Sequence, residues 1–120
     1  METIISLTKY EKASAPLLRE QLTRAESVED VRKFFYQCIR DFLCAISNSA
    51  LQPTYADVVL TPGQAPYFML SKGLRNSEAF KQFDDSDLLR IIERFAEQSS
   101  HRFLHLTKHR EKTEAKIRPI

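Results

Sequence analysis

Glycine is nearly missing from this chain: Gly63 and Gly73 are the only two in 120 residues. That scarcity excludes the glycine-rich loops of nucleotide enzymes, where closely spaced glycines let backbone N–H groups cradle phosphates. Gly73 lies between Lys72 and Arg75 but lacks the Lys-Ser/Thr continuation of a phosphate loop, and reads as an ordinary turn. Cysteine is equally scarce. Cys38 and Cys44 would point about 120° apart on a helix, so they cannot pair with each other, and a reduced, cytoplasmic setting is the expectation. No apolar run approaches the roughly 18 residues of a membrane span. The opening METIISLTKYEKASAP has no basic start followed by an apolar stretch, so neither an export signal nor a membrane partner is expected. Nucleophile elbow, dinucleotide fingerprint and paired-carboxylate settings are all missing. No catalytic residue and no cofactor is therefore expected.

What is present suits one small folded unit. A length of 120 residues with 42% hydrophobic and 28% charged residues fits a single domain with one core. Its formal charge of +2 hides an asymmetry: residues 1–100 sum to −2 and residues 101–120 to +4. The basic character belongs to the end of the chain, where it can attract phosphate or an acidic protein.

Hydrophobic spacing predicts an α+β fold that is predominantly α. A first helix is expected over about Ala15 to Arg24 with Leu17, Leu18 and Leu22 inward, because Pro16 suits a first turn and not an interior. Ser27 and Asp30 give a partial capping box for a second helix, running to about Ser47. There Val31, Phe35, Ile39, Phe42, Leu43 and Ile46 share one face, opposite Asp30, Lys33, Gln37, Arg40, Asp41 and Cys44. Cys38 falls toward the apolar side, which leaves Cys44 as the accessible thiol, far from the helix N-terminus that would activate it. After a loop at Asn48–Tyr55, the runs Asp57–Leu60 and Tyr67–Leu70 flank Pro62-Gly63, a turn pair, and predict a β-hairpin. Their near-continuous apolar character predicts that helices cover one face and something else shields part of the other. A two-stranded ribbon is marginal in water, so it must pack on the helices or pair with a second copy. Lys72–Asn76 reads as a turn and Asn76 or Ser77 as the cap of one short helix carrying Ala79, Phe80 and Phe83. Asp84, Asp85 and Asp87 cluster where the last helix begins, as capping and the helix dipole favour.

That last helix runs from Ser86 without proline or glycine to Pro119. Leu88, Ile92, Phe95, Ser99, Phe103 and Leu106 form its stripe, flanked by Ile91 and Ala96. At Arg110 and Thr113 the stripe stops. A helix from Ser86 to Ala115 would be about 45 Å long, whereas a compact domain of this size is roughly 35 Å across. The reading is a globular domain at 1–107 and a basic extension of the last helix at 108–120, free to fray or covered by another chain.

All three histidines lie on this helix in a row of residues four apart: Glu93, Glu97, His101, His105 and His109. Each step of four advances a net 40° or so, so the row spirals from solvent toward the opposite border of the core face and cannot serve one site. A divalent metal is open to His101 with His105 or to His105 with His109, two at a time, with further ligands from elsewhere. The His-Glu-x-x-His pattern is absent. Nucleic acid is a second candidate partner, through phosphate contacts from Arg102, Lys108, Arg110, Lys112, Lys116 and Arg118. Against it, Glu111 and Glu114 interrupt the run and no helix-turn-helix, zinc-finger or RNA-binding signature occurs. The leading expectation is a non-catalytic interaction or regulatory module, a homodimer or the binder of another protein, working through its long C-terminal helix.

Overall fold

In a computed structural model, which describes residues 7–83 and 86–117 and gives 109–117 as backbone, the element order is predominantly helical with one hairpin. Helix α1 spans Thr8–Arg24 and α2 spans Val28–Ile46. A 3-10 turn at Tyr55–Asp57 leads into strands β1, Val58–Leu60, and β2, Phe68–Leu70. Two one-turn helices follow, α3 at Lys72–Arg75 and α4 at Glu78–Lys81, before α5 at Leu88–Ile117. The single short helix expected between hairpin and last helix is thus two. Ser71 caps α3 by accepting from Leu74 N–H, and Ser77 caps α4 by accepting from Phe80 N–H.

Helix α1 begins seven residues earlier than the proline suggested and carries Pro16 in its interior. An interior proline, which removes a backbone hydrogen bond and crowds the preceding turn, costs about 3 kcal/mol, and tertiary contacts of the N-terminal half offset it. Leu7 is buried and its N–H donates to Asp87 Oδ1 at 3.2 Å. Arg94 Nη1 reaches both oxygens of Glu11 at 3.0 and 2.8 Å. With the helix continuous, Leu18 and Leu22 face the core, while Leu17, expected inward, is 64% exposed beside the surface-facing Pro16.

Helix α2 follows its amphipathic pattern. Ser27 accepts from Asp30 N–H at 3.2 Å, and the Asp30 carboxylate accepts from Glu26 N–H at 3.0 Å instead of from the cap residue. The partial capping box therefore closes one residue further back. Val31, Phe35, Cys38, Ile39, Phe42 and Leu43 are buried, Ile46 half-buried. They meet Leu88, Ile91, Ile92, Phe95 and Ala96 of α5, with Phe42 and Phe95 edge to face at 5.7 Å between ring centroids.

The hairpin pairs antiparallel in the register Val58 with Leu70, Val59 with Met69 and Leu60 with Phe68. Gly63 has φ +82, the left-handed backbone that Pro62-Gly63 foreshadows. Val58, Leu60 and Phe68 point into the core. Val59 and Met69 remain 41% and 62% exposed, so the outer face lacks the cover inferred from the apolar runs. Ser100, buried on α5, accepts from Gly63 N–H at 2.9 Å and pins the turn to the helix. At the other end of the ribbon Asp57 accepts from Thr54 N–H at 2.9 Å and Ser71 Oγ at 2.7 Å, hydrogen bonds that hold its carboxyl below the usual carboxylate range.

Candidate functional site: the grooves along the last helix

Helix α5 holds most of the chemistry expected from the sequence, and two neighbours divide its surface. On one side α1 packs against it, leaving an open groove lined by Arg19, Leu22, Thr23, Gln98, His101, Arg102 and His105. On the other side the hairpin packs against it, and a second groove is lined by Pro66, Phe68, Met69, Leu70, Arg75, Leu89 and Glu93. The row of residues four apart crosses from one to the other. Glu93 is half-buried on the hairpin side, Glu97 is exposed, and His101 and His105 are exposed on the α1 side. The row does turn around the helix, but it is Glu93 that is half-buried where solvent was expected and His105 that is exposed where the border of the core face was expected.

The α1 groove is basic. Arg19, Arg102 and the two histidines line it, and no carboxylate does. Within it Arg102 has a defined task. Its Nη2 donates to Ala25 O at 3.0 Å and lies 3.4 Å from Thr23 O, placing a guanidinium on the carbonyls at the C-terminal end of α1. A cation there meets the negative end of the helix dipole and satisfies terminal carbonyls. Its Nε is buried without a hydrogen-bond partner. Arg102 thus ties α5 to α1 before it can serve any ligand. Lys108 is exposed at the outer limit of the described side chains. His109, Arg110, Lys112 and Lys116 lie on backbone that is still helical, and Arg118 falls outside the described residues.

His101 and His105 are one helical turn apart, the spacing that can share a metal ion. Among the described residues no group of three His, Cys, Asp or Glu side chains converges, so this pair gains no third protein ligand. Asp84 and Asp85 of the acidic cluster lie outside the described residues, and Asp87 is engaged with Leu7 N–H.

A third groove, between α1 and α2, is lined by Ser14, Leu17, Leu18, Gln21, Gln37, Cys38 and Asp41 among others. Burial, with the Asp41 charge adding to it, pushes the Cys38 thiol up to about 12, so it is protonated and inert as a nucleophile at neutral pH. Cys44, on the polar side of α2, is half-buried with Sγ 3.5 Å from Ser49 Oγ. Neither thiol lies in the α5 grooves.

Sequence reasoning missed Ser100 and placed Glu93 in solvent, because both depend on where the hairpin lands. No protein-family model matches this chain, and neither curated proteins nor solved structures give a match to it.

Proposed function

We propose that this protein is a non-catalytic interaction module whose folded body presents the outer part of α5 to another protein, a second copy of the chain or a different partner. The observation that carries this reading is the mismatch between helix and core. Among the described side chains of α5 the last buried one is Ser100, with Arg102, Phe103, Leu106 and Thr107 half-buried, while the helical backbone continues to Ile117. Residues 108–117 add about 15 Å of helix to a molecule measuring 70 × 27 × 23 Å. Its radius of gyration of 16.3 Å exceeds the value near 14 Å of a compact chain of this length. A helical end without a core of its own has little intrinsic stability and gains most from being covered.

The state of association tests the reading. Sedimentation equilibrium of the full chain is expected to show a mass rising with concentration from 14.0 kDa toward twice that value. A mass that stays at the monomer value into the high micromolar range contradicts self-association.

The α1 groove favours a second reading, in which an anionic partner such as nucleic acid binds at the basic end. Its lining carries cationic side chains and no carboxylate, and phosphate contacts made there would weaken steeply with added salt. With Arg102 committed to Ala25 and Thr23, the cations for such contacts would be Arg19, Lys108 and the residues beyond.

A further inference from the structure

The hairpin has two edges, and they are treated differently. Ser71 N–H donates to Asp57 O and Thr61 N–H to Tyr67 O, both at hydrogen-bonded positions of the antiparallel register. Alternation along the ladder makes Val59 and Met69 the pair between them that exchanges hydrogen bonds. Val58, Leu60, Phe68 and Leu70 consequently turn their N–H and C=O groups outward, away from the opposite strand. On β1 that edge lies against α2, and Arg32 Nη1 donates to Leu60 O at 3.1 Å. On β2 the outward groups of Phe68 and Leu70 have no hydrogen-bond partner among the described residues.

An open edge of this kind is a template for another strand unless charge, proline or a covering element protects it. Phe68, Met69 and Leu70 carry no charge, and Pro66 lies before the strand, outside the ladder. Beside the edge runs the groove of about 360 Å³ lined by Met69, Leu89, Arg75 and Glu93 among others. Met69 and Leu89 are 62% and 42% exposed, as is Val59, the cross-strand neighbour of Met69, at 41%. Main-chain donors and acceptors above an apolar floor are the chemistry of strand addition.

We propose that β2 pairs antiparallel with β2 of a second copy of this chain, joining two hairpins into a four-stranded sheet about a two-fold axis at Met69. This rests on the reading of the protein as an interaction module, names a second copy as the partner, and adds the β2 edge as a surface separate from the outer part of α5. The register is self-complementary. With Met69 opposite the partner's Met69, Phe68 faces the partner's Leu70, and the outward groups of both residues are exchanged in hydrogen-bonded pairs. The ribbon, marginal with two strands, becomes a sheet of four, which is enough for independent stability.

Met69→Cys in a Cys44→Ser background tests this directly. Opposed residues at a non-hydrogen-bonded position have Cα atoms about 4.5 Å apart, within disulfide reach. Mild oxidation is expected to convert this variant to a covalent dimer. Leu17→Cys, at a site 64% exposed on α1, is expected to remain monomeric under the same conditions. Met69→Lys opposes like charges across the axis, and is expected to weaken association roughly tenfold or more while the thermal unfolding of the monomer is unchanged. Covalent dimer from Met69→Cys with loss of association in Met69→Lys supports strand pairing. A dimer that leaves Met69→Cys unlinked and ignores Met69→Lys overturns it, and leaves association through α5 standing. A wild-type chain that is monomeric at every concentration overturns both.

Discussion

Replacing Phe95 with alanine is expected to remove about 3–5 kcal/mol of stability, at the upper end of what a single substitution does. Phe95 is fully buried in the core-facing N-terminal third of α5 and meets Phe42 of α2 edge to face, at 5.7 Å and 84°. Truncation leaves a cavity between two helices whose positions are fixed by their other contacts, so little of it can collapse. The aromatic pair adds about 0.5–1.5 kcal/mol beyond area burial. Domains of this kind have a total stability of about 5–15 kcal/mol, so the variant should unfold at a much lower urea concentration with an unchanged slope. A loss below about 1 kcal/mol, the scale of a surface substitution, would mean that the α2–α5 contact is not the core of the fold.

Arg102→Ala is expected to cost about 1.5–3 kcal/mol, the range for hydrogen bonds made by a charged group. The guanidinium holds the end of α1 through Ala25 O and Thr23 O, and its removal leaves those carbonyls and the helix terminus without their cation. Arg102→Lys keeps the charge but not the planar fork, and should recover only part of the loss. Denaturant unfolding of the three proteins measures it. An Arg102 reserved for phosphate would behave otherwise, since removing a surface cation with no intramolecular role changes stability by less than about 0.5 kcal/mol.

The helices α2 and α5 were legible because their apolar residues recur at the helical period on one face, a pattern that needs no knowledge of the partner. Both ends of α2 fall within a residue or so of the expected bounds, and the α5 stripe is buried as far as Ser99, with Phe103 and Leu106 half-buried. Helix α1 was read too short because Pro16 is judged locally. The ion pair between Glu11 and Arg94 that holds the first turns spans more than 80 residues of sequence. The hairpin was found from its turn and apolar runs, but its open outer face was not, since three residues per strand are too few to separate alternation from a continuous run. Of the candidate site, the sequence located the helix and the spiral of its histidines. It did not locate the grooves. Those arise where α1 and the hairpin stop covering α5, and Arg102, which looked like part of a basic surface, turns out to hold α1 in place.

The central claim, that α5 outruns its core and that its outer end is a docking element, is tested most directly by amide hydrogen exchange along that helix. In dilute full-length chain, amides of Ile92–Ser99 are expected to exchange only with global unfolding, while those of residues 108–117 exchange within a few orders of magnitude of the free-chain rate. Raising the concentration into the associated range is expected to slow the outer amides selectively. Outer amides protected as strongly as Ile92–Ser99 in the dilute monomer, or unprotected at every concentration in a chain that does associate, would contradict the account.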